Sequence, residues 1–386
     1  MISDYRLVAK SWQTPFVVLL GGCLISLVGF GARSSYGLYL GPMTLDLNWT
    51  RETFALAMAL QNLFWGICLP LAGILVDRYG PLWVVIGGAL IYALGTFGMT
   101  WVESSGSLYL AGGILVGTGV AFTSFSLVTA TMVRVVGVQR RSLVMGLCTA
   151  AGSLGQVLYS PITQGMISNH GWSSALVVTA VSVCLIIPLA FMLPNDPRVR
   201  DENVVHTGSV GAMREAFAHR GFLLLTAGFF VCGFHVAFIT VHLPVYVSDL
   251  GLGSMVGAIA ISLIGIFNIV GSLLSGAFGQ RFSKKCGLSS IYALRAVTLL
   301  VFLVAPKSEL TIYIFAATMG LLWLSTVPLT AGIIAQVFGI RYMATLYGFV
   351  FLSHQIGSFI GVWMGGYIYD LTGSYDLMWQ AGIILG

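Results

Sequence analysis

Long apolar runs constrain this chain more than any motif does. They recur between charged or turn-rich breaks near 15–40, 53–76, 82–101, 107–133, 142–167 and 173–193, and again near 221–247, 254–279, 288–305, 310–338 and 347–369. About 20 apolar residues in a helix cross the roughly 30 Å hydrocarbon core of a bilayer, and backbone in lipid must satisfy its hydrogen bonds internally. Each run therefore reads as a membrane helix. A last run opens near Leu377 and stops at Gly386, about half a span, so a twelfth helix cut short is expected. Composition removes the alternatives. Only 8% of the 386 residues are charged and 57% are hydrophobic, whereas a soluble domain carries about 25% charged residues. Disorder and nucleic-acid binding both need far more charge. The 48 glycines suit helices packed closely in lipid. The fold class expected is an all-α membrane protein.

Lys and Arg set the orientation. With the N-terminus inside, that side carries Arg6, Lys10, Arg78, Arg134, Arg140, Arg141, Arg198, Arg200, Arg214, Arg220, Arg281, Lys284, Lys285 and Arg341, against Arg51 and Lys307 outside. A multi-pass protein of the cytoplasmic membrane with a cytoplasmic N-terminus is expected. MISDYRLVAKSW has no small-residue cleavage site after a short apolar core, so the first run is read as a retained span. Cys23, Cys68, Cys148, Cys184 and Cys232 fall in apolar runs and Cys286 in a short basic loop, with no CxxC pair; they read as reduced packing residues.

The polar stretch Pro194 to Arg220 divides the chain. The expected organisation is an N-terminal six-helix bundle over 1–193, a cytoplasmic linker over 194–220 and a C-terminal bundle over 221–386. The halves repeat: GILVDRYGPL from Gly73 and GAFGQRFSKK from Gly276 align at an offset of 203, matching Arg78 to Arg281.

GILVDRYGP resembles the loop signature of the major facilitator superfamily, Gly-x-Leu-Ala-Asp-Arg-x-Gly-Arg-Lys, between spans two and three. The resemblance implies twelve helices in two six-helix bundles around a central cavity. It also implies a gating role for Gly73, Asp77, Arg78, Gly80 and Arg281: Asp77 accepts hydrogen bonds at a neighbouring helix start, Arg78 pairs across the cytoplasmic gate, and the glycines allow the turn. Pro81 and Leu82 replace the usual basic pair, and Gln280 replaces the acid in the second copy. QRRSLVMGLCTAAGSLGQ from Gln139 is similar to the start of span five in monocarboxylate transporters and oxalate/formate antiporters. There Arg140 and Arg141 would anchor the helix in the interface. Gly146, Gly152 and Gly155 would leave a smooth face against a helix of the other half, although such spacing also occurs in ordinary packing.

Within the apolar runs the only charged residues are Arg33, in span one, and Arg295, in span nine. A buried cation lines a cavity and pairs with something. An anionic substrate is the candidate for Arg33, with backbone carbonyls or the interface as the alternative; Arg295, nearer its helix end, is expected to snorkel. His235 and His242 are seven apart, so they share a face of span seven, which the resemblance places against the cavity. His354 lies in span eleven, where the oxalate/formate group has a substrate-binding cation; the cation of span eight has no counterpart, and Asn268 is the most polar residue there. Each histidine can carry a proton or bind an anion, or can be a hydrogen-bonded packing residue. Tyr36, Trp323, Gln61, Asn62 and Gln156 are weaker ligand candidates, equally suited to helix packing.

No phosphate-binding G-x-x-x-x-G-K-[ST] loop, intramembrane carboxylate pair or HExxH occurs. An ATP-driven motor, a hydrolase and a metalloprotease thus lack apparatus; no enzyme, cofactor or metal is expected. The expected function is secondary transport of a small organic anion, a mono- or dicarboxylate, with His235 or His242 taking up a proton. The expected partners are that anion, protons and the bilayer, with no nucleic acid, and the protein is expected to be monomeric. A proton-driven exporter of drugs or metabolites, and a non-transporting sensor, share the same scaffold.

Overall fold

The computed structural model describes residues 11–137, 140–195, 209–339 and 343–386. Among them every regular element is helical. The principal helices are α1 (Pro15–Ser34), α2 (Arg51–Tyr79), α3 (Pro81–Gly98), α4 (Val116–Phe122), α5 (Phe125–Val136), α6 (Arg141–Cys184), α7 (Arg220–Asp249), α8 (Ser254–Arg281), α9 (Lys284–Val304), α10 (Glu309–Leu322), α11 (Thr326–Phe338), α12 (Met343–Thr372) and α13 (Asp376–Leu385). Ten helical stretches are long and apolar enough to cross a membrane among the described residues, and α13 is a shorter apolar helix in the twelfth position. The stretch Leu143–Ala190 is 48 residues long, about 70 Å if straight, more than twice a bilayer core. It turns at Gly171, whose φ of 82° is open to glycine without strain, and so holds spans five and six. Of the linker expected at 194–220, residues 196–208 lie outside the described residues, and Ser209–Ala218 form a short helix.

Spans four and ten are each interrupted. In span four, Thr123 Oγ1 donates to the Gly119 carbonyl at 2.8 Å and Ser124 takes up extended backbone before α5 begins; the hydroxyls divert the backbone from continuous helix. In span ten the interruption is Trp323–Ser325, with Ser325 Oγ donating to Leu321 O. At the repeat offset of 203, Thr123 corresponds to Thr326, the first residue of α11. The break in span ten thus ends immediately before the counterpart of the break in span four.

Four helices carry most of the contact between halves: α2 packs on α12, and α6 packs on α8. At mid-height, a side chain at Gly66 of α2 would meet Gln355 of α12, and one at Gly265 of α8 would meet Ser153 of α6. Asn268 Nδ2 donates to Ser153 Oγ (2.9 Å), Gln156 Nε2 to Ile261 O (2.7 Å) and Ser262 Oγ to Val157 O (3.0 Å).

Candidate functional site

Toward the face where α2 begins, the halves are joined tightly. Arg51 makes a two-pronged ion pair with Asp249 at the end of α7, both N–O distances being 2.7 Å. Its guanidinium also donates to the Tyr375 hydroxyl (3.1 Å) and lies 3.6 Å from the Tyr369 ring centroid. The Asp370 carboxylate accepts from the backbone N–H groups of Arg51 (3.1 Å) and Glu52 (2.7 Å). Those N–H groups have no partner within their own helix, so the end of α12 caps α2 from the other half. Glu52 in turn accepts from Trp363 Nε1 (3.0 Å). Side chains at Gly37 and Gly366 would run into the Thr240 and Arg51 backbones of the opposite half. Beside this lock is a cavity of about 640 Å³ lined by residues including Gln164, Ser248, Asp249 and Ser254.

Toward the other face, where Arg78 and Gly80 join α2 to α3, the same helix edges part. Gly73, Gly146, Gly276 and Gly348 each have open space where a side chain would stand. Gly73 is seven residues from Gly66, Gly146 seven from Ser153, Gly348 seven from Gln355 and Gly276 eleven from Gly265. Spacings of seven and eleven return to the same face of a helix. The edges in contact at mid-height therefore diverge toward the Arg78 face.

Between the closed and the open ends lies the candidate binding region. Arg33 Nη2 donates to Asn62 Oδ1 (2.5 Å), its guanidinium sits 4.6 Å from the Trp65 ring centroid, and its Nε is buried without a partner. A cavity of about 20 Å³, lined by Arg33, Trp65 and the span-four break residues Thr123 and Ser124, adjoins it. Trp65 meets Phe351 of the other half edge-on at 5.4 Å, and Phe351 stacks on His354 at 5.9 Å with rings nearly parallel. His354 Nδ1 shares a hydrogen bond with Gln355 Oε1 (3.0 Å), while Gln355 Nε2 is buried and unpartnered. A cation of one half and an imidazole of the other thus flank one aromatic bridge across the interface.

Other expectations land elsewhere. His235 and His242 turn away from this bridge: His235 Nε2 bonds Gly382 O of α13 (2.8 Å), and His242 bonds Val362 O of α12 (2.8 Å) and the Tyr375 hydroxyl (3.0 Å). Their shared face points into the C-terminal half because α12 and α13 supply its acceptors. Arg295 does not snorkel. It is fully buried, donating to the carbonyls of Leu322 (2.7 Å) and Trp323, which the break in span ten leaves free of intrahelical partners. Trp323 and Asn268 belong to the same break, Asn268 Oδ1 accepting from Leu324 N (3.0 Å). Tyr36 pairs with Thr96 (2.6 Å) inside the N-terminal half, and Gln61 donates to Gly112 O (3.2 Å).

The glycine face of span five also differs from expectation. Gly152 and Gly155 approach Phe30 and Leu27 of α1, in their own half, and Gly146 faces open space; Ser153, Gln156 and Val157 supply the contact with the other half. Arg140 is exposed and the side chain of Arg141 lies outside the described residues. In the loop signature, Asp77 pairs with Arg134 (3.7 Å) and Arg78 lies over Tyr79 (5.2 Å). Gly80, with φ of 83°, makes the turn, whereas Gly73 is interior to α2 and Arg281 ends α8 exposed.

Two halves joined at one face and parted at the other, each with a broken fourth span, describe a transporter scaffold, and sequence comparison assigns it. Residues 22–362 match the family model of the Major Facilitator Superfamily. The chain belongs to that superfamily. This major facilitator chain is 26% identical over 367 residues to monocarboxylate transporter 13 of Rattus norvegicus, covering 93% of this chain and 83% of that protein. It is 25% identical over 367 residues to the oxalate:formate antiporter of Oxalobacter formigenes, covering 94% and 86%. Among solved structures it is similar to an inward-facing bacterial homologue of the human lysosomal transporter Spinster, with a TM-score of 0.75, 16% identity, and 94% and 84% coverage. It is also similar to the inward open xylose transporter of E. coli, with a TM-score of 0.72, 13% identity, and 96% and 94% coverage. At those identities the structural likeness speaks to the fold of this facilitator.

Proposed function

We propose that this chain is a secondary transporter of a small organic anion, a mono- or dicarboxylate, working by alternating access and taking up a proton with it. The observation that carries this reading is Arg33: a half-buried guanidinium that, among the described residues, meets a neutral amide and an aromatic face, with its Nε buried and unpartnered, beside the bridge to His354. A cation in lipid without an acid partner favours an anion as its ligand, and His354 offers a second donor from the opposite half. Neutral Asn62 orients the guanidinium without cancelling its charge. Monocarboxylate and oxalate:formate carriers among the relatives support the substrate class.

The Lys and Arg bias supports a cytoplasmic Arg78 face and N-terminus. The Arg51 face is then outer, and the halves here are latched outside and parted inside. Rocking about the bridge exchanges the two arrangements. Uptake of radiolabelled carboxylates into proteoliposomes tests the site. Arg33→Ala and His354→Ala are each expected to abolish saturable uptake while the purified variants keep their helical content; wild-type uptake by both would overturn the assignment.

A further inference from the structure

His242 is wholly buried, yet it stands one phenol away from the ion pair that holds the outer face shut. Its two ring nitrogens are distinguishable. Nε2 faces the Val362 carbonyl at 2.8 Å, and a carbonyl can only accept, so Nε2 carries the hydrogen. Nδ1, 3.0 Å from the Tyr375 hydroxyl, then has a lone pair and accepts from the phenol O–H. The Tyr375 oxygen, its own hydrogen so committed, accepts from Arg51 Nη1 at 3.1 Å, and Arg51 grips Asp249. Donors and acceptors match along the chain from Val362 to Asp249 only when His242 is neutral.

A proton on Nδ1 breaks that order. The imidazolium becomes a donor at both nitrogens, the Tyr375 O–H loses its acceptor, and two cations, His242 and Arg51, converge on one phenol oxygen. In a low-dielectric site both changes oppose the closed arrangement. The other titratable or charged groups around this chain are Arg51 and Glu52 on α2, Tyr246 and Asp249 on α7, Tyr369 and Asp370 on α12, and Tyr375 and Asp376 at the start of α13. Of these residue types, histidine alone ordinarily changes charge between about pH 5 and 8. Access exists: the Arg51 and Asp249 side chains are 15% and 32% exposed, and both line the 640 Å³ cavity beside the lock.

We propose that His242 is a proton-binding site that controls the outer lock: a proton taken from the outer solution unlatches the halves, and its loss lets them latch. This rests on the alternating-access part of the carrier reading above and on its assigned sidedness, not on the anion; a proton that leaves before the halves latch gates the outer face and is not the proton that crosses with the substrate. His235, bonded to Gly382 O, is not part of the chain of bonds.

Spin labels on Leu45→Cys and Leu371→Cys, exposed outer positions of opposite halves, read the lock directly in nanodiscs once exposed Cys184 and Cys286 are serines. At pH 8 a single short-distance population is expected; as the pH falls to 5 a longer one rises to rival it. Arg51→Gln should show the longer population at every pH, and His242→Gln the shorter one at every pH. A pH response that survives His242→Gln, a wild type with no response, or an Arg51→Gln protein that stays closed overturns the proposal. If His242→Gln does not fold, Tyr375→Phe, which removes the linking phenol, must flatten the response; an unchanged response overturns it equally. Failure of the anion reading looks different: Arg33→Ala and His354→Ala would keep uptake while this pH response stood.

Discussion

On the Arg51 face the edges of the two halves are held by charge, capping and close backbone approach; on the Arg78 face continuations of the same edges present glycines to open space. The difference lies in the kind of contact, since α2, α6, α8 and α12 run through both regions. A partly hydrated ion pair contributes about 1 kcal/mol or less, and a shared helix cap about 1 kcal/mol. Several such terms together hold a face closed, yet each yields to water one at a time. Among the described residues the glycine edges make no polar attachment across the halves, and they can meet or part without desolvating charge. One face is built as a latch and the other as a smooth seam.

The comparison breaks most severely at Gly37. A valine there would strike the Thr240 and Val241 backbone of the opposite half. Overpacking of this kind costs about 1–3 kcal/mol, enough to deplete the latched arrangement by about five- to more than a hundredfold. Gly37→Val is expected to reduce uptake by a similar factor while spin-label distances within each half stay unchanged.

A smaller effect is expected from the lock itself. Arg51→Gln removes the ion pair with Asp249 and the bond to Tyr375, while its backbone N–H remains capped by Asp370. Losing charge-assisted bonds costs about 1–3 kcal/mol, so uptake should fall about tenfold. Asp249→Asn in the same chain should restore part of it, because the partner carboxylate is no longer left uncompensated. Non-additivity in that double-mutant cycle is the measurement.

The smallest effect sharpens the other side. Gly276→Ala and Gly348→Ala add a methyl where space is open, and alanine is the better helix former by about 1 kcal/mol. Thermal stability of the protein open on its Arg78 face should hold or rise slightly. Turnover should slow, because these edges must meet when that face closes; uptake kinetics beside melting curves separate the two.

Much of the fold was legible because span length is a property of single segments, fixed by bilayer thickness. The turn at Gly171 and the repeat around Arg78 and Arg281 follow from local sequence in the same way. The breaks at Thr123–Ser124 and Trp323–Ser325 carry no central glycine or proline, so their apolar runs read as continuous. Arg33 was visible as an isolated intramembrane cation, but Trp65 and Phe351 look like ordinary packing aromatics until they meet across the halves. Arg51 was counted only for topology, although it is one of just two basic residues on its side.

By itself the sequence determined the number and length of the helices, the two-fold repeat and the presence of buried cations, since each is set by hydrophobicity along the chain. Only the tertiary structure decided what those cations hold. Arg33 and Asn62 are 29 residues apart, Arg51 and Asp249 are 198 apart, and Arg51 and Tyr375 are 324 apart. The face a buried side chain presents depends on which helix packs there, and so His235 and His242, together on one face of α7, bond to α12 and α13 while His354 meets the interface between the halves.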